Sequence, residues 1–380
     1  MSAPRPPRVV HLTSVHDAFD TRIFMKECRS LAMAGYAVAL VAPHEADVTR
    51  DGVHIVAVPP ARGRLERATR TAWRVFRKGL SLRADVYHLH DPELLPYGLL
   101  LKLLGRRVIY DAHENLPKDV SSKHYLPAPL RSLLAFAVDV AERAVCFCFD
   151  GIVTVTPGIA VRFPYTRTVL VRNYPLRSEF PAVERKPYAS RRAAIVYLGG
   201  LNSIRGVREM VRAVGRLAPS LGAELWLAGR FDPPGLEQEL AREPGWARTR
   251  HLGWLSREQV TATLAQARIG LLVLHPVPNH VDSLPIKLFE YMAAGLPVVA
   301  SRFPAWEAVL EDAGLFVDPL DELAIAQALT HLLANTDEAR RRGESGRAAV
   351  DRTLHWEREA GALLTLYGRV VGPPRLPRAR

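Results

Sequence analysis

Short runs rich in Val, Ile and Leu alternate along this chain with longer stretches whose apolar positions recur every three or four residues. The short runs predict strands buried on both faces, and the longer stretches predict helices that cover them. A first series of runs lies at 9–12, 37–41, 53–58, 85–89, 107–110, 152–155 and 168–171. A second lies at 194–198, 224–227, 250–252, 269–274, 297–300 and 315–317. Between the first two runs, Arg22 to Ala34 reads as a helix stopped by Gly35, a residue that readily takes the left-handed conformation of a helix end.

The rhythm breaks between Tyr174 and Arg192, where Pro175, Pro181 and Pro187 sit among charges. That composition predicts a linker. The expected domains are 1–176, a linker 177–192, and 193–352. A C-terminal helix and tail, 353–380, follow, with the helix crossing back to the first domain and the last residues, GPPRLPRAR, frayed. The fold class is α/β: two doubly wound Rossmann-like domains facing across a cleft, with ligands at the carboxyl ends of the strands.

At 380 residues the chain is long enough for two such cores. No apolar run reaches the roughly 18 residues that cross a bilayer, and the stretch 99–104 is broken by Lys102. The N-terminus has no signal-peptide core, so a cytoplasmic protein is expected. Cys28, Cys146 and Cys148 are odd in number. They read as small buried residues in a reducing compartment, with no disulfide and no metal.

The net charge of +12 attracts phosphates and anionic lipids. From Arg64 to Arg83, Leu65, Ala68, Ala72, Val75 and Phe76 form one helical face and Arg67, Arg70, Arg74 and Arg77 another. This stretch is the candidate for peripheral contact with the inner membrane face, set against the plainer reading of a solvated charge stripe. No zinc-finger spacing, basic zipper or aromatic RNP-type strand points to nucleic acid.

The strongest chemical signal is NHVDSLPIKLFEYMAAGLPVVAS, residues 279–301. A strand feeds a polar loop; Ser283 is a candidate cap and Pro285 opens a helix. Lys287 and Glu290, three apart, share one face of its first turns. Free amides, a partial positive charge and the lysine make a diphosphate site over Leu284, Pro285 and Ile286. Glu290, one turn further in, can accept from a ribose diol.

This string resembles the C-terminal signature of retaining glycosyltransferase family 4 (glycosyl transferases group 1), E-x7-E followed by A-x-G-x-P-V-V-A. The resemblance runs from about Arg8 to Val371 and implies the GT-B fold. It puts Glu290 on the ribose-binding acid, and Asp282, eight residues earlier, on the first acid, which usually contacts the donor sugar. YLGGLNSIRG, 197–206, resembles the diphosphate-gripping turn, with Arg205 on the Lys position and Gly200 where the family has Arg. LWLAGR, 225–230, and HLGWLS, 251–256, resemble the next blocks, which places Leu252 and Gly253 at the nucleobase.

In the first half, the glycine-free loop Ser14 to Asp20 offers His16, Asp17 and Asp20 as acceptor or donor contacts. Arg22 with Asp20 reads first as a helix-start pair. VIYDAHENLP, 108–117, ends a strand in Asp111, His113 and Glu114. A His between carboxylates at a strand end reads as functional. The resemblance implies that His113 reaches the transferred sugar. His90 and Asp91 read as structural, Asp91 capping the helix that Pro92 opens.

The resemblance implies retaining transfer from a nucleoside diphosphate sugar, UDP or GDP first, to an unknown acceptor such as a surface glycan, glycolipid or secondary metabolite. Arg205, Lys287 and the helix end face the departing diphosphate, His113 and Asp282 position the sugar, and no metal cofactor is expected. The rival readings are a nucleotide-sugar 2-epimerase on the same fold and a non-catalytic nucleotide-sugar or lipid-binding protein.

Overall fold

The computed structural model describes residues 5–121, 127–181 and 187–373. The chain divides into two compact units, one made of residues 1–173 and 356–380 and the other of residues 174–355. Each is built on its own sheet.

The first sheet has the order β3-β4-β2-β1-β5-β6-β7-β8. Its strands are β1 (Arg8–Leu12), β2 (Ala37–Pro43), β3 (Val48–Arg50), β4 (Val53–Val58), β5 (Val86–Leu89), β6 (Arg107–Ala112), β7 (Gly151–Thr154) and β8 (Thr168–Leu170). All pairings are parallel except β3 with β4. The edge strand β3 is absent from the sequence reading, because its three residues are exposed and carry no apolar pattern. The signal was the turn: Asp51 and Gly52 both adopt positive φ, the conformation of a two-residue hairpin.

Helices cover this sheet. α1 opens as a π-turn, Ile23–Cys28, and continues as Arg29–Met33. The widening is visible in the Asp20 carbonyl, which accepts from both Phe24 and Met25. α2 runs through Arg64–Glu66, Arg67–Thr71 and Ala72–Ser81. Ala72, Val75 and Phe76 are packed in the core, while Leu65 and Ala68 are exposed. Most of the apolar face of this candidate lipid-contact stretch is therefore consumed by the protein interior. α3 (Leu95–Leu103) and α4 (Ala128–Phe147) follow.

The second sheet has the order β11-β10-β9-β12-β13-β14 and is wholly parallel. Its strands are β9 (Ala194–Leu198), β10 (Glu224–Ala228), β11 (Thr249–Gly253), β12 (Ile269–Leu272), β13 (Val298–Ser301) and β14 (Gly314–Val317). The chain reverses its winding between β9 and β12, so the loops after these two strands open onto one switch point. The helices that matter below are α5 (Val207–Gly215), α6 (Arg257–Gln266), α7 (Ile286–Ala293) and α8 (Thr336–Arg352).

The expected linker is not a free spacer. Tyr174, Phe180 and Tyr188 are buried in the core of the second unit, and Tyr174 packs edge-on to Phe289 at 4.6 Å. Its prolines bend the strap while its aromatics anchor it. Residues 182–186 of the linker and 374–380 of the tail lie outside the described residues. The last helix, α9 (Trp356–Val371), belongs to the first unit: Leu363, Leu366 and Tyr367 are buried there, and Trp356 Nε1 donates to Ser30 Oγ at 2.8 Å.

One expectation changes with tertiary context. Cys28 and Cys146 are buried as expected, but Cys148 is exposed, because it sits just past the end of α4. Among the described residues no helix is long and apolar enough to cross a membrane.

Because Leu366 is fully inside the first unit, Leu366→Ala should lower the stability of that unit by about 2–5 kcal/mol. Urea unfolding of the full chain checks this: a tryptophan probe at position 356 should report an earlier transition, and one at position 306 should not move.

Candidate functional site

The second unit places its chemistry at the β9/β12 switch point. β9 ends in Gly199 and Gly200, and Gly199 has a φ of +131°. A methyl group on Gly199 would stand 2.5 Å from Lys287 Cε and 2.9 Å from its Nζ, so glycine is what lets the lysine cross the turn. Arg205 lies over Gly200, about as close as van der Waals contact to where a side chain would sit. The turn lacks a cation of its own, and Arg205 supplies one. Its backbone amide is fixed by the Asn202 side chain at 3.1 Å.

Lys287 sits in the first turn of α7, whose opening amides have no intrahelical acceptor. Ser283 does not cap this helix; its hydroxyl donates to the His280 carbonyl at 3.0 Å, and Pro285 takes the cap position. Leu284, Pro285 and Ile286 are half-buried around that end. Burial, and then the charge of Arg205, pull the Lys287 pKa down to about 8. Among the described residues, neither Lys287 nor Arg205 forms an ion pair. Two cations thus converge with no carboxylate bound to either.

Glu290 is buried and its Oε1 accepts from Arg257 Nη1 at 2.5 Å. Arg257, near the start of α6, also grips Glu179 through two bonds of 2.8 and 2.9 Å. Burial alone would lower the Arg257 pKa, but Glu290 and Glu179 raise it. The arginine therefore stays charged and fixes the carboxylate, and no hydrogen bond from the described residues reaches Glu290 Oε2. Asp282 is exposed and closes the short helical turn Pro278–Val281. Leu252 and Gly253 end β11, and beside them Trp254 is 71% exposed with the Arg230 guanidinium 5.4 Å from its ring. Arg257, Arg230 and Trp254 were missed from sequence. The capping box Ser256–Gln259 marked where α6 begins, but nothing local tied Arg257 to a glutamate 33 positions away.

In the first unit the loops after β1, β5 and β6 meet at the carboxyl edge of the sheet. Asp91 does not cap the following turn. It accepts from Thr13 Oγ1 at 2.8 Å and from the Ser14 amide at 2.6 Å, tying the β1 loop down. His16 stands between Asp91, 3.4 Å away, and Asp20, 3.7 Å away. Burial disfavours its charge, but Asp20, Asp91 and Glu114 outweigh that and raise it to about 8. His113 lies next to it, ring centroids 5.3 Å apart, with Nδ1 3.4 Å from Asp111 Oδ2. Asp20 caps the start of α1 through the amides of Arg22 and Ile23. Glu114 is exposed, and Asp17 is exposed and only closes a turn with Phe19. His16, Asp20 and His113 are therefore brought together; Asp17 is not among them.

Arg22 is more than a helix-start residue. Its guanidinium is buried and bidentate to Asp111, at 2.8 and 2.9 Å. Burial would raise the Asp111 pKa, and Arg22 overrides it, holding the carboxylate ionised. Behind this pair lies an interior net. His90 Nδ1 is 3.2 Å from Asp111, His90 Nε2 is 2.8 Å from His11 Nδ1, and Tyr367 Oη bridges His11 and His88 at 3.3 and 2.9 Å. Burial pushes all three histidines toward the neutral form. His11, Glu27, His88 and His90 bring ligand atoms within 4.8 Å of one another, a donor set of zinc type. Most of the ring nitrogens are already committed to hydrogen bonds, however, and Arg22 lies 3.2 Å from Glu27, so a dication would meet a fixed positive charge. The net reads as the support that fixes Asp111 beside His113.

A doubly wound unit with a cationic helix-end site at its switch point is an arrangement suited to the phosphates of a nucleotide. Residues 21–174 match the family model described as glycosyl transferase 4-like domain, and residues 192–335 match glycosyl transferases group 1. The chain belongs to this glycosyltransferase family, has the GT-B fold and is a glycosyltransferase. It is 29% identical over 301 residues to an MMP alpha-(1->4)-mannosyltransferase of Mycolicibacterium hassiacum, spanning 76% of this chain and 72% of that one. Its fold matches the sucrose-phosphate synthase of Thermosynechococcus elongatus with a TM-score of 0.76 at 18% identity, covering 96% of this chain and 99% of the other. It also matches Anabaena Alr3699/HepE in complex with UDP and glucose, TM-score 0.68 at 11% identity, covering 96% and 100%.

The lowered Lys287 pKa fixes a pH dependence. A bound diphosphate favours the ammonium, so binding takes up a proton where the free lysine is neutral. Nucleoside diphosphate affinity should therefore fall as pH rises through about 8, by at most about tenfold per unit. Calorimetric titration from about pH 7.5 to about 9.5 checks this, and Lys287→Arg, charged throughout, should flatten the profile.

Proposed function

We propose that the chain transfers a sugar from a nucleoside diphosphate sugar, UDP or GDP being the first bases to test, with retention of anomeric configuration. The observation that carries this is the pair Lys287 and Arg205, converging over Gly199–Gly200 at the opening turn of α7 without a carboxylate on either cation. One protein of the same fold holds UDP and glucose.

In the reaction the bond from the anomeric carbon to the phosphate oxygen breaks, and the acceptor oxygen bonds to that carbon on the same face. The acceptor proton passes to the departing phosphate. The charge to be stabilised is on that phosphate. Lys287, Arg205 and the first amides of α7 are donors fixed in advance around it, which is where electrostatic stabilisation acts most strongly. Glu290, held by Arg257, takes the ribose diol through its second oxygen. Asp282 contacts the donor sugar, and Leu252, Gly253 and Trp254 border the base. In the first unit, His113 and His16 contact the transferred sugar or the acceptor, with Asp111 fixing His113.

The test of the donor site is a thermal-shift panel of UDP, GDP, dTDP, ADP and CDP on wild type and Lys287→Ala. A diphosphate at 100 Kd adds about 2.7 kcal/mol of stability. Wild type should respond to at least one base, and the Lys287 variant should lose the response. No response from wild type at about millimolar concentration of any of them overturns the assignment.

Two fixed cations do the work that a divalent ion does elsewhere, so we also propose that turnover needs no metal. Transfer measured in excess EDTA should equal the untreated rate. Loss of turnover that Mg²⁺ or Mn²⁺ restores would overturn this.

A further inference from the structure

α4 is amphipathic the wrong way round. Its inner side carries Glu142, buried and bonded to Arg162 at 2.5 Å and to Tyr110 at 3.1 Å, with Ala135 and Cys146. Its outer side carries Leu130, Leu133, Leu134, Phe136, Val140 and Phe147, all exposed, with Leu133, Phe136 and Phe147 each about two-thirds accessible. At 100° per residue these six fall within roughly 160° of the helix circumference, and only Pro129 and alanines fill the gaps between them. Surface helices ordinarily turn such a stripe inward. Here Arg162, which also bonds Asp139 at 2.7 Å, locks the helix with the stripe outward.

The patch continues past the helix. Lys102 bonds Asp150, just beyond α4, at 2.8 Å, which sets the end of α3 beside the end of α4. There Leu103 is 82% and Leu104 56% exposed. The rim is basic: Arg106 and Arg107 follow at once and are exposed, Arg143 borders the stripe, and Arg167 bonds the Phe147 carbonyl. Charge is partitioned in the same sense. The unit made of residues 1–173 and 356–380 has 29 Lys and Arg against 18 Asp and Glu, a net +11, while residues 174–355 have 22 against 21.

We infer that this face docks the first unit onto an anionic lipid bilayer, with α4 lying along the boundary between headgroups and acyl chains. An apolar stripe about 26 Å long fits that boundary, and a basic rim is drawn to acidic headgroups. Arg131, Asp139, Glu142 and Arg143 interrupt the helix as a whole, so it lies on the bilayer and does not span it. The surface differs from the arginine stripe of α2, whose apolar side is largely spent in the core. It does not depend on the donor-site assignment, since docking is read without nucleotide.

The experiment is vesicle flotation of the full chain with phosphatidylcholine alone and with about one-third phosphatidylglycerol. Wild type and Leu133→Ser/Phe136→Ser are compared, together with their thermal midpoints and molar mass in solution. Both substituted side chains are exposed, so the midpoint should not move. Wild type should bind the anionic vesicles at least about tenfold more tightly than the neutral ones, less so in high salt, and the double variant should lose about tenfold or more of that binding. Three results overturn the inference: no binding of wild type to either vesicle, undiminished binding of the variant, or a wild-type dimer that the variant splits while neither binds lipid.

Discussion

The second unit of this enzyme is organised around two converging positive charges. Lys287 and Arg205 converge over a glycine turn, and burial first, then the charge of Arg205, pulls the lysine pKa down to about 8. Such a pair destabilises the free protein and favours whatever brings two negative charges to it. The rest of the switch point serves that contact. Gly199 leaves room for the lysine stem, Asn202 fixes the backbone under Arg205, and α7 points its opening amides the same way. Arg257 and Glu179 keep Glu290 from closing onto the lysine.

The first unit solves the reverse problem. Its cation, Arg22, is buried and spent on Asp111, so the ion pair is structural. Buried pairs add little net stability but are costly to break. What this one supplies is position: Asp111 holds His113 from one side, and the neutral net of His90, His11, Tyr367 and His88 holds Asp111 from the other. Because Tyr367 comes from α9, the last helix of the chain completes a net whose other members come from β1, β5, the residue just after β5, and β6.

The two units also divide the charge. Nearly all of the excess positive charge lies on the unit with the outward-facing apolar helix, and the converging pair Lys287 and Arg205 is local to an otherwise balanced unit. The local cation pair and the general surface charge are thus separate features of one chain.

The strand rhythm, the glycine ends of helices, the Pro285-opened helix and the Lys287–Glu290 spacing are local patterns, and each was legible in the sequence because periods of two and 3.6 residues and cap chemistry act over a few positions. The exposed hairpin strand β3 lacked the apolar half of that pattern and was lost. Which groups meet across the fold was not legible. Arg22 meeting Asp111 89 positions on, Arg257 meeting Glu290, the burial of the α2 apolar face and the exposure of the α4 face were decided by packing alone. An amphipathic helix announces its stripe in sequence. Which side of that stripe is turned to solvent depends on side chains, here Arg162 against Glu142, that come together only when the chain has folded.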